Sequence, residues 1–238
     1  MNSGVQGQWA LVAGLSGGLV KLPTRYSEEG RRLVIEGAID EEGELKGRAR
    51  LLLVGSRALR WLRSRDSEAP ERIEEAARRF FQYLIPGTEL GAISLREIRG
   101  RIPTVILEAQ ISRTRFLRKG RSFRLGLRFQ NTLPDPRELV DRTEPIILTP
   151  GILETVWKLS LPEGVCRPEL LPESFSNSIG SIERRRDDDD SSMLLISRKT
   201  VTRRSWIGVE SLGEFLKLAR AEEKSARGSL RWKCKEGS

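Results

Sequence analysis

The side chains able to do chemistry in this 238-residue chain are few, and one class is missing: it has no histidine. Nucleophilic catalysis by cysteine needs a thiolate beside a base, most often an imidazole. Of the two cysteines, Cys166 lies in a Pro-rich break between Val165 and Arg167, and Cys234 lies in a basic tail. Cys166 has no such base beside it, and Ser–His catalysis is excluded by composition. Two cysteines so far apart are too few for a disulfide framework and too few for a zinc site. The expectation is therefore two unpaired thiols. No catalytic, metal-ligating or cofactor-binding residue is predicted, and no cofactor.

Two charged runs remain. Asp187–Asp190 invites a calcium reading, but calcium loops need alternating oxygen ligands, a turn glycine and a distal bidentate Glu. That spacing is missing, and Arg184, Arg185 and Arg186 adjoin the run. It reads as a solvated hairpin tip. The second run holds Arg113, Arg115, Arg118, Lys119, Arg121, Arg124 and Arg128 with no acidic residue between them. Folded as a hairpin around Lys119-Gly120, it sets several cations on one sheet face, where they can hold an anion or track phosphates. Phe123 and Phe129 alternate with these arginines and turn inward, which leaves no stacking platform for bases. A charged, edge-protecting face is the expectation, with anion or nucleic-acid binding as the alternative.

These residues must be carried by strands. Arg31–Ile39 and Leu45–Val54 alternate around Asp40-Glu41-Glu42-Gly43, a hairpin. Ser67 and Pro70 mark a helix start, and Ile73, Ala77, Phe80, Phe81 and Leu84 keep helical spacing until Pro86-Gly87. Leu90–Ile98, Val105–Ile111 and Arg121–Phe129 read as strands. The Pro-rich stretches 132–136 and 142–150 read as a connection. Ile152–Leu161 places Leu153, Trp157, Leu159 and Leu161 on one face. Ser178–Arg186 and Met193–Thr202 read as hairpin arms. Ser211 and Glu214 form a capping box for a closing helix with Phe215 and Ala219 on its apolar stripe. Trp157 is expected to be buried under that helix. Near the N-terminus, Trp9–Val12 and Leu19–Leu22 read as strands joined by a glycine turn, which lacks the Gly-Lys-Ser/Thr ending of a phosphate loop.

The fold class that follows is mostly β, with β-sandwich-like modules, two amphipathic helices near 68–85 and 210–224, and α+β character at the periphery. The expected divisions are a lead-in at 1–30, a β-rich module with one packed helix at 31–145, a helix-closed β-sandwich-like module at 146–226 and a basic tail at 227–238. Hydrophobic residues at 38% and charged ones at 32% suit a folded chain with a charged surface. A net charge of +9 favours acidic partners without locating a site. Leu11–Val20 is too short and glycine-interrupted to span a membrane, and no basic n-region marks an export signal.

The order of strand, Leu161-Pro162-Glu163-Gly164, Ile179-Gly180-Ser181, Leu194–Arg198 and closing helix resembles the C-terminal, non-catalytic β-rich region of bacterial transglutaminase-like proteins. Gly7–Val12 with Leu22-Pro23 is similar to the segment just after the papain-like core of that group. The likeness covers nearly the whole chain. The group's Cys–His–Asp arrangement has no counterpart here, and Trp206–Glu210 stands where the group places a Pro and a Tyr. The resemblance implies a structural or protein-interaction module rather than an enzyme. It also implies a protein partner, a separately encoded transglutaminase-like core among the choices, rather than nucleic acid. The location it implies is extracytoplasmic if the chain belongs to a larger exported protein, and cytoplasmic otherwise.

Overall fold

The structure is a computed structural model. It describes residues 9–12, 18–21, 29–120, 122–127, 129–166, 168, 172–187, 193–226 and 230–233. In chain order it runs β1 (Trp9–Val12), β2 (Gly18–Lys21), β3 (Gly30–Ile39), β4 (Leu45–Val54), α1 (Ser56–Ser67) and α2 (Pro70–Leu84). Then come β5 (Glu89–Ile98), β6 (Thr104–Arg113), β7 (Leu117–Arg118), β8 (Phe123–Leu125), β9 (Ile146–Ile147) and β10 (Gly151–Ser160). The chain continues through β11 (Glu173–Ser176), β12 (Gly180–Asp187), β13 (Met193–Thr202), β14 (Trp206–Ile207), α3 (Leu212–Ala226) and β15 (Leu230–Trp232). It is mostly β, as the alternation predicts.

Eight strands form one sheet in the order β11-β12-β13-β10-β3-β4-β6-β5. Its neighbours are antiparallel except β3 and β10, which run parallel. Strands from 31–145 and from 146–226 thus meet in a single sheet, joined at that parallel pair. Smaller sheets pair β1 with β2, β9 with β14, and β15 with β8 and β7.

One face of the large sheet is apolar, because strict alternation turns every second side chain the same way. Leu33, Ile35, Leu51, Leu53, Leu107, Trp157 and Ile196 lie there, all buried. Over half of this face, Phe81 and Leu84 of α2, Ala58 of α1 and the loop residues Phe116, Leu127 and Phe129 close one hydrophobic cluster. Over the other half, Phe215 and Leu218 of α3 pack with Ile182, Ile179, Ile146, Ile207 and Leu139 in a second. Trp157 is buried as expected, but its cover is Phe116, ring centroids 5.5 Å apart, and not the closing helix. The opposite face carries ion pairs: Glu36 with Arg48 at 3.1 Å and Lys158 at 3.0 Å, and Arg32 with Glu154 at 2.9 Å.

Among the described residues there are three α-helices rather than the two expected. The extra one, α1, is arginine-rich, and no side chain of its own first turn caps it. Its cap comes from elsewhere: the buried Glu29 carboxylate accepts from the Ser56 amide (3.0 and 3.2 Å) and hydroxyl (2.8 Å). α3 differs at its start as well. A 3₁₀ turn over Val209–Ser211 leads into it, and Glu214 accepts from the Ser178 hydroxyl at 2.6 Å instead of closing a box with Ser211. The β3–β4 turn is as expected. Gly43 has φ 81°, and a Cβ there would sit 2.0 Å from the Leu117 carbonyl oxygen, so the turn requires glycine.

Candidate functional site

The basic hairpin is where the sequence placed its candidate cations. β7 and β8 form its arms, and β15 adds a third strand, so that Arg118, Arg124 and Arg231 fall on one rung. Residues directly opposite one another share a face, and all three arginines are exposed. The neighbouring rung, Leu117–Leu125–Leu230, belongs to the other face. So do Phe123 and Trp232, which stack at 5.6 Å. The aromatic residues therefore line the inner side and the arginines the outer. Arg231 also donates to the Ser122 hydroxyl at 2.8 Å.

The remaining predicted residues divide. Arg113 is half-buried at the end of β6; it donates to the Gly126 carbonyl at 3.2 Å and lies over the Phe116 ring at 5.5 Å. That arrangement is structural. Arg115 (φ 53°) is exposed in the turn before β7, and Lys119 is exposed at the hairpin tip. Arg121 and Arg128 lie outside the described residues. The structure thus gathers Arg118 and Arg124 and adds Arg231. The latter sits in a three-residue strand too short for its alternation to be read, within what the sequence presents as a tail.

Cys166 is disulfide-bonded, which corrects the expectation of unpaired thiols. The chain's other cysteine, Cys234, lies outside the described residues. The Cys166 carbonyl accepts from the Trp232 indole N–H at 2.8 Å, so this loop holds the end of β15. Of the acidic run, Asp187 ends β12 and 188–190 are not described. Arg184 pairs with Glu173 at 3.1 Å, Arg185 with Glu183 at 3.8 Å, and Arg186 donates to the Pro168 carbonyl.

A second polar region fills the seam between the two hydrophobic clusters. Glu222 of α3 is 1% exposed. Its carboxylate accepts from the amides of Thr132 (2.9 Å) and Leu133 (2.8 Å), the hydroxyls of Thr132 and Thr200, and Arg198 at 3.1 Å. Arg198 also donates to the Gln130 carbonyl at 2.9 Å. Burial, opposed by the charge of Glu222, holds its pKa below the ordinary arginine value. Arg31 of β3 shares this face, 9% exposed. Burial first, and then the Arg57 charge, push its pKa down to about 10. These charges are visible in sequence only as exceptions: Arg31 alternates with Leu33 and Ile35, and Arg198 with Leu194 and Ile196.

A cavity of about 340 Å³ opens between α2 and β5, lined by Pro70, Ile73, Ala77, Ile93 and Leu95 with Arg65, Glu74 and Ser94 at its polar margin. Its charged residues are committed elsewhere: Arg65 to Glu97 and Asp66, Glu74 to Arg78. No group of three or more metal-ligating side chains occurs among the described residues, and no described helix is long and apolar enough to cross a membrane. No family model, curated protein or solved structure matches this chain.

Proposed function

We propose that this chain is a non-catalytic interaction module whose partner presents an acidic protein surface to the row Arg118–Arg124–Arg231. The observation that carries the reading is the rung itself. Like charges set directly opposite on neighbouring strands destabilise a sheet, a cost that an acidic partner surface would offset. Guanidinium forks match carboxylates in bidentate geometry. The inward Phe123 and Trp232 leave the outer face without the ring platform that single-stranded nucleic acid stacks on. The likeness to the C-terminal region of transglutaminase-like proteins supports a module that works beside other domains.

Fluorescence anisotropy with a labelled poly-glutamate peptide and with a labelled DNA duplex tests this. The parent should bind the peptide at low ionic strength, and Arg118→Ala/Arg231→Ala should lose that binding while unfolding normally. DNA binding should vanish near physiological salt. Salt-resistant duplex binding, with a slope in log salt that falls by about 0.9 per arginine removed, would replace the acidic protein with nucleic acid. Peptide binding left intact in the double variant would remove the row as the site.

A further inference from the structure

The seam between the two clusters holds more positive charge than it neutralises. Arg31 lies there within the field of Arg57 and Arg198, with Glu222 acting on Arg31 and Glu29 on Arg57. Both carboxylates are already engaged, Glu29 by Ser56 and Glu222 by Thr132, Leu133, Thr200 and Arg198. Arg31 makes no hydrogen bond or ion pair with any described residue, and its Nε is buried without a partner. Glu29, two positions before Arg31, caps α1 through Ser56 and so brings Arg57, the next residue, to the start of β3; after burial, the Arg57 charge acts most strongly on Arg31. Gln130 Oε1 and Arg198 Nε, in the same seam, are likewise buried and unpaired.

A buried charge is ordinarily paired or bound to a counter-ion. The covered face offered the fold a simpler solution, since Leu33 and Ile35 continue the same alternation with apolar side chains. A cation kept there beside a second cation, with no partner among the described residues, is the arrangement left when a ligand supplies the anion. Planar forks of this kind take phosphate or carboxylate oxygens in pairs.

We propose that Arg31 and Arg57 form a binding site for one compact oxyanion group, a phosphate or a carboxylate, where the start of β3 meets the start of α1. The arginine row on the outer sheet is not needed for it.

Thermal unfolding of the dialysed full chain against inorganic phosphate, acetate and sodium chloride at matched ionic strength tests the site. Binding to the folded state raises the melting temperature in a saturable way. Phosphate or acetate should do so and chloride should not, and the anion that saturates at lower concentration identifies the group. Arg31→Met should abolish that rise and should melt higher than the parent without anion, because an unpaired buried charge is gone. Arg57→Met, at a half-buried position, should weaken the rise by about tenfold in apparent Kd, one lost charge-assisted contact. Arg118→Ala/Arg231→Ala should keep it. The proposal is overturned if phosphate and acetate act no differently from chloride, if the rise survives Arg31→Met, or if it disappears with the surface row instead. Should Arg31→Met not fold, an unchanged rise in Arg57→Met is sufficient to reject the site.

Discussion

Glu222→Gln removes the charge from a buried carboxylate that holds five partner groups among the described residues. Its carboxylate ties three parts together: α3, which carries it; β13, through Arg198 and Thr200; and the connector, through Thr132 and Leu133. A glutamine can keep the oxygen that faces Arg198 and the two hydroxyls. Its amide nitrogen then replaces the oxygen that accepts from the Thr132 and Leu133 amides, so donors face donors. Arg198, 4% exposed, is left without its counter-charge. Breaking one side of a buried pair costs about 3–5 kcal/mol. For a chain of this size that corresponds to a melting-temperature fall of about 6–20 °C. Urea unfolding followed by tryptophan fluorescence measures the loss. The pair should also be strongly coupled, so Glu222→Gln/Arg198→Met should be less damaged than Glu222→Gln alone. A single variant within about 1 kcal/mol of the parent, or additive losses in the double variant, would refute the role given to this carboxylate.

Trp157→Ala should cost about 3–5 kcal/mol in chemical denaturation, since it empties a fully buried site and strips Phe116 of its stacked partner; Phe215→Ala, in the other cluster, should not change that value when the two are combined. Cys166→Ser, or dithiothreitol on the parent, should lower stability by about 2–5 kcal/mol, because Cys166 is disulfide-bonded; equal melting with and without reductant would contradict this. Glu36 has its pKa lowered chiefly by the hydrogen bond from Lys158, with Arg48 adding to it. A depressed carboxylate contributes stability above its unfolded value, near 4.3, and loses it as pH falls through the folded value. Acid titration of unfolding should therefore be shallower below about pH 4.3 in Glu36→Gln than in the parent, an effect that salt reduces because the group is partly exposed.

What could be read from the sequence was what neighbours in sequence decide. The β3–β4 hairpin was legible because its alternation and its glycine turn are local, and α2 because Pro70 stands at its first turn and its apolar spacing is unbroken. α1 was not. Its arginines mask a sparse Ala58–Trp61–Leu62 stripe, and the Glu29 carboxylate that caps it lies 27 positions upstream. Strand Arg121–Phe129 was overextended for the opposite reason. Its alternation is genuine, yet among its described residues only Phe123–Leu125 finds partner strands, while Leu127 and Phe129 bury themselves from a loop. Alternation reports which side chains are buried, and pairing depends on backbone that only the rest of the chain supplies. The parallel β3–β10 pair is the clearest case: its register, Val34 opposite Val156, joins segments more than a hundred residues apart. The seam follows from that pairing. Once β10 lies beside β3, Arg31 and Arg198 come onto one covered face, and an arginine that looked like an ordinary strand-opening residue becomes a buried cation without a partner among the described residues. The signal was in the sequence, as a charge on an apolar face, but its meaning required knowing which strand lay next to it.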